Sequence, residues 1–128
     1  MMGSIQNGRR EYIRENHSVE VGSGDVDTVI VAVTVPPKAR ARVISFGNYL
    51  GTVAAWGFAY WTIYANGVPC SMFGTRNIMD QIGYAAQRQP TTEWEFSGGT
   101  RITVCGSNPT ADDLAMGVSL EVEAIYQE

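Results

Sequence analysis

Charge, cysteine and histidine are all scarce in this chain of 128 residues, and each shortage removes a class of function. His17 is the only histidine, so the main body of the chain has neither a histidine-based catalytic triad nor a multi-histidine metal centre. Two cysteines, Cys70 and Cys105, are too few for a disulfide framework and, without histidine partners, cannot complete a tetrahedral zinc site. They are expected as buried or half-buried thiols, with a single cross-link in an oxidising medium as the alternative. Nine basic residues against 13 acidic ones give a formal charge of -4, which argues against a nucleic-acid surface as the main business of the fold. The longest apolar-looking run, residues 53–65, falls short of the roughly 20 residues a membrane-spanning helix needs. No basic-then-apolar leader opens the chain, so synthesis in a cytoplasm without export is the expectation. No cofactor is expected.

Helical periodicity is missing as well: no segment of ten or more residues shows a convincing 3.6-residue apolar repeat. What the chain has instead is β alternation. Val29, Val31, Val33 and Val35 alternate with Ile30, Ala32 and Thr34 until Pro36-Pro37 ends the run. Residues 42–49, 56–65, 90–96 and 100–105 read as further strands. The last strand is the cleanest: Met116, Val118, Leu120, Val122, Ala124 and Tyr126 share one face, while Gly117, Ser119, Glu121 and Glu123 are assigned to water. Asn66-Gly67 is a type I′ hairpin signal, Ser97-Gly98-Gly99 is read as a second hairpin turn, and residues 106–113 form a loop. Residues 72–89 are the least periodic and are left as a long connection with a short strand at most. Six to eight strands with regular turns predict an all-β protein, an antiparallel β-sandwich or barrel.

Residues 1–25 stand apart in composition. Ile5, Tyr12, Ile13, Val19 and Val21 are their only apolar points after the initial methionines, too few for a core, so the segment reads as an N-terminal arm ordered by what it touches, ahead of a domain spanning 26–128. Arg9, Arg10, Tyr12 and Ile13 are its candidate docking residues.

The stretch 56–69, W-G-F-A-Y-W-T-I-Y-A-N-G-V-P, carries bulk on both faces: Trp56, Phe58, Tyr60 and Tyr64 on one, Trp61 and Ile63 on the other. Such a strand is either interior to two layers or meets another protein with one face. Since Trp61 and Ile63 can supply the core, Trp56, Tyr60 and Tyr64 are assigned to self-association, for which Tyr and Trp are favoured. A glycan-stacking platform is the alternative use of the same rings. Paired carboxylates, Glu93 with Glu95 and Glu121 with Glu123, are the one remaining route to glycosidase-like catalysis, but their strand faces read as solvated and no catalytic residue is assigned. Asp25, Asp27, Asp80, Asp112 and Asp113 match no calcium-loop spacing and read as solvated acidic turns.

The order of motifs carries a resemblance. A Val35-Pro36-Pro37 turn precedes the R-V-I-S-F-G-N strand of Arg42 to Asn48. The aromatic strand follows with Asn66-Gly67-Val68-Pro69, then Asp80-Gln81-Ile82-Gly83, Ser97-Gly98-Gly99 and the G-S-N-P-T loop from Gly106 to Thr110. Over residues 27–127 this succession resembles small jelly-roll virion proteins of tailed bacteriophages, the type that decorates or cements a capsid. The resemblance implies an eight-strand jelly roll without enzymatic activity, a homo-oligomer (a trimer), the major capsid protein or another virion protein as partner, and location in the virion after synthesis in the host cytoplasm. It also implies that deleting residues 1–24 leaves the domain folded and weakens capsid binding.

Overall fold

The computed structural model describes residues 8–50, 59–70, 77–79, 85–88 and 95–126. Trp56, Phe58, Glu93 and Asp80, which the sequence singles out, lie outside them.

Ten strands run in chain order: β1 Arg10–Val21, β2 Thr28–Thr34, β3 Ala39–Leu50, β4 Tyr60–Ala65, β5 Val68–Pro69, β6 Asn77–Met79, β7 Ala85–Arg88, β8 Phe96–Ser97, β9 Arg101–Ser107 and β10 Leu114–Tyr126. No helix occurs among the described residues. The strands form two five-stranded antiparallel sheets. The first has the order β1-β10-β3-β7, with β8 also on β3; the second has the order β2-β9-β4-β5, with β6 also on β4. Pairing is nested. First meets last, β1 with β10; inside them β2 meets β9, then β3 meets β7 and β8, and β4 meets β5 and β6 at the centre. A long hairpin rolled so that successive ladders fall alternately into two sheets gives this order, the jelly-roll form of the β-sandwich.

The innermost turn is the one the sequence marks. Asn66 and Gly67 have φ of 51° and 81°, the left-handed pair a type I′ turn demands, and set Ala65 opposite Val68. Alternation then assigns faces. Val118, Leu120 and Val122 of β10, Phe46 of β3, Trp61 and Ile63 of β4, and Ile102 and Val104 of β9 are buried between the sheets.

Two expectations change. Ser97-Gly98-Gly99 is a turn, closed by Thr100 N–H donating to the Ser97 carbonyl at 3.1 Å, but it is not a hairpin. Phe96 and Ser97 pair with Ala41 and Arg40 in the first sheet while Arg101 begins a strand of the second, so the turn crosses between layers. It passes so close to the Pro36-Pro37 turn that a Cβ on Gly98 would sit 2.2 Å from the Pro37 carbonyl oxygen. The N-terminal segment is extended, yet Arg10–Val21 belongs to the sandwich, which the sequence begins only at residue 26. All twelve residues of β1 pair with β10, from Arg10 opposite Ile125 to Val21 opposite Leu114. Val21 is fully buried, and Ile13 and Val19 pack against the core. Apolar points too sparse for a core of their own suffice for an edge strand laid on a strong neighbour.

Candidate assembly surfaces

Each sheet turns one face inward, which leaves two outer faces, and their chemistry differs. On the second sheet, register aligns Ala32, Thr103, Tyr64 and Pro69 in one row, Val29, Cys105 and Thr62 in the next, and Ser107 with Tyr60 beyond. None of these side chains is charged. Thr62 and Cys105 are only 3% and 5% exposed although they point away from the core, whereas Val29 is 52% exposed. The strand expected to be bulky on both sides therefore buries side chains on both sides. Tyr60 and Tyr64 are half-buried on this outer face. The Tyr64 hydroxyl donates to Asp27 Oδ2 at 2.8 Å, and Asp27 holds a φ of 56° in the loop before β2 with its N–H donating to Ser107 Oγ at 2.9 Å. Burial first, then the hydrogen bond and negative charge of Asp27, push the Tyr64 phenol up to about 12. Burial and then the Asp27 charge push the Cys105 thiol up to about 11. Cys70 is raised by burial as well, and both cysteines are buried and unbridged, as the sequence leads one to expect. A thiol held protonated is a poor nucleophile, so Cys105 contributes contact area to this face.

The outer face of the first sheet is a lattice of charge. Alternation assigns Glu123 to water, but it is 3% exposed. Arg10 and Tyr12 of β1 donate to its Oε2 at 2.8 and 3.0 Å, and Arg42 of β3 donates to its Oε1 at 2.9 Å. Burial alone would raise this carboxyl; the three hydrogen bonds and the Arg42 charge outweigh it and hold the group below its ordinary value of 4.5. Along the same face Arg14 pairs with Glu121, Arg40 with Glu95 at 3.2 Å, and the Tyr49 hydroxyl donates to Asn16 Oδ1 at 2.8 Å. A glycosidase-type general acid needs a carboxyl raised towards neutrality. Glu123 is shifted the other way, and Glu121 and Glu95 are occupied by arginines.

The four docking candidates of the N-terminal segment all find partners within the chain. Arg9 lies over the Tyr126 ring at 4.1 Å, Arg10 and Tyr12 hold Glu123, and Ile13 turns inward by strand parity. Arg10 and Tyr12 keep about half of their surface exposed, 49% of the Arg10 side chain and 50% of Tyr12; Ile13 keeps less. The acidic turns are wired internally. Ser23 N–H donates to Asp113 Oδ1 at 2.9 Å, and the buried Asn108 donates to the Val21 and Asp112 carbonyls at 3.0 and 2.7 Å. Among the described residues no three His, Cys, Asp or Glu side chains gather closely enough to hold a metal ion.

Sequence reasoning places Glu123 in water and does not single out its partner Arg42 or the side chain of Asn108. A usable signal existed for the first two: R-x-Y-x-R in the N-terminal segment and R-A-R at residues 40–42 match E-V-E at 121–123 in spacing and sign. For Asn108 only the local part is marked, an Asn-Pro-Thr turn in which Thr110 N–H donates to its Oδ1 at 3.0 Å; its bond to the distant Val21 carbonyl is not.

No family model matches this sequence, and no curated protein matches it. Among solved structures, the fold is similar to a chain of the cyanophage Pam1 capsid asymmetric unit, with a TM-score of 0.53 and 18% identity over 94% of this chain and 87% of that one. A chain of the acid-stable capsid of Helicobacter pylori bacteriophage KHP30 aligns with a TM-score of 0.48 and 10% identity, covering 94% of this chain and 95% of that one. A chain of the disulfide-linked pili of Bacillus endospore appendages gives 0.43 and 16%, covering 95% and 94%. Of these three, the first is close enough in geometry to establish a shared fold, and fold is what it establishes.

Proposed function

We propose that this chain is a non-enzymatic structural protein of a phage particle, one that self-associates and decorates or cements the capsid, with a trimer as the expected closure. The observation that carries the reading is the nested jelly-roll strand order, which aligns over 94% of the chain with a chain of a phage capsid asymmetric unit. Two features of the outer faces support it. The face around Tyr60, Tyr64, Thr103 and Val29 carries no charge in its central rows, with Asp27 and Arg101 at its margins, the depletion of charge that marks the centre of a protein contact. The exposed portions of Arg10 and Tyr12, with Arg9 and Arg14 beside them, offer a polar rim through which the N-terminal strand touches a neighbouring capsid chain. Trp56, outside the described residues, belongs to the same proposed self-association set.

Association on such a surface draws on apolar burial worth about 25 cal/mol per Å2 before the costs of ordering are subtracted. The test is co-migration. Purified protein is mixed with gradient-purified capsids of the virus that encodes it and run on a density gradient. Movement with the capsid band at a fixed ratio to the major capsid protein is expected. Protein that stays at the top of the gradient overturns the reading, and sugar-dependent quenching of tryptophan fluorescence in such a protein would replace it with a lectin.

A further inference from the structure

Among the described strands, those at the sheet edges are not equally protected. β5, β6 and β7 are two, three and four residues long, and β2 is broken by a register shift between Val29 and Val31. Shortness and bulges are how proteins blunt an edge against pairing with other chains. β1 has neither. It runs for twelve residues without proline, glycine or a register shift, and its far side has no strand among the described residues.

Which backbone groups face that far side follows from one hydrogen bond. Tyr126 N–H donates to the Arg9 carbonyl at 2.8 Å, so odd-numbered residues of this segment turn their peptide groups towards β10. The even-numbered residues Tyr12, Arg14, Asn16, Ser18 and Glu20, all exposed, turn theirs outward.

We propose that this edge pairs antiparallel with β1 of a second copy of the same chain, about a two-fold axis through Asn16 normal to the sheet. The axis keeps outer face on outer face, so even residues must meet even ones, and side-chain chemistry selects among the registers that remain. With Asn16 opposite Asn16, Arg14 meets Ser18, Tyr12 meets Glu20, Glu15 meets His17 and Ile13 meets Val19. No like charges oppose each other. Moving the dyad by one residue sets Glu15 against Glu15 or His17 against His17. The mixed charges of β1 thus disfavour an arbitrary partner strand and cancel in this register. Five even-numbered pairs exchanging two bonds each give about ten new backbone hydrogen bonds. This contact is two-fold and uses a sheet edge, so it is independent of the proposed trimer contact on the uncharged face and compatible with it.

Sedimentation of the full chain gives the first readout. Asn16→Pro removes an outward N–H without touching the β10 ladder, a placement proline tolerates on an edge. Its expected mass is half that of the wild type, with an unchanged β spectrum by circular dichroism. Should Asn16→Pro fail to fold, Asn16→Lys, which sets like charges together across the dyad, is read instead with the same expectation. The second readout is cross-linking. Under mild oxidation Asn16→Cys forms disulfide-linked dimers, because the two Cα atoms would lie about 5.5 Å apart. Glu20→Cys does not, since its two copies would be about 27 Å apart. A wild-type monomer, an unchanged mass in the folded Asn16 variant, or Glu20→Cys cross-linking as readily as Asn16→Cys overturns the proposal.

Discussion

Glu123 has two neighbours in sequence that point it towards water and three in space that take it out of water. Its carboxylate joins three strands of the first sheet, with Arg10 and Tyr12 on one side and Arg42 on the other. Replacing it with glutamine leaves both arginines without a counter-charge, although each is partly exposed and can rehydrate. Glu123→Gln is therefore expected to cost about 2 kcal/mol, roughly 8 °C in Tm for a chain of this size. The pH dependence has a definite sign. The folded carboxyl lies below its ordinary value of 4.5, so the stability it adds is complete above that value and is lost as pH falls through the folded one. Thermal unfolding followed by circular dichroism should show a wide gap between wild type and Glu123→Gln at neutral pH that closes in acid. A gap independent of pH would mean that packing, and not charge, is what Glu123 contributes. Residue identity and parity were legible here; burial was not, because the side chains that cover Glu123 lie 81 to 113 positions away in sequence.

At the scale of elements, strands with regular alternation were readable and the short ones were not. β10 alternates over thirteen residues and β2 over seven, so period two shows without help from tertiary contacts. β6, β7 and β8 span two to four residues, at most two cycles of alternation and too few to stand out from chance, and pairing with β3 or β4 alone defines them. β1 is the instructive case. Its sequence supports deletion of residues 1–24 without loss of fold; its pairing implies the reverse. Removal of β1 strips the hydrogen-bonding partner of β10, the buried Val21 and two of the three donors to Glu123. The truncated chain is expected to lose its cooperative thermal transition and to bind the dye ANS, which reports exposed apolar surface. A truncated chain that melts cooperatively at the wild-type temperature would restore the segment to the status of an appended arm.

For the whole molecule, what matters is that two outer faces of one sandwich carry opposite chemistry. One is cross-linked by Arg–Glu pairs within the chain; the other has uncharged side chains along the row Ala32, Thr103 and Tyr64, with Asp27 and Arg101 only at its margins. Thr103→Arg places a charge in the middle of the uncharged face without entering the core. If that face closes the oligomer, light scattering should show a fall in mass at an unchanged Tm. An unchanged mass would remove Tyr60 and Tyr64 from the assembly surface, while the edge contact through Asn16 would still be read by its own variants.

The sequence by itself determined what is local: the all-β class, the parity of β4, β9 and β10, the Asn66-Gly67 turn and the scarcity of histidine and cysteine chemistry. These follow from steric preferences and from counts, which need no knowledge of distant residues. Only the tertiary structure decided the nesting of first strand with last, the crossing of the Gly98 turn between sheets and the burial of Glu123. Each of these joins groups far apart in sequence, and their hydrogen bonds and packing form only once the long hairpin has rolled into two layers.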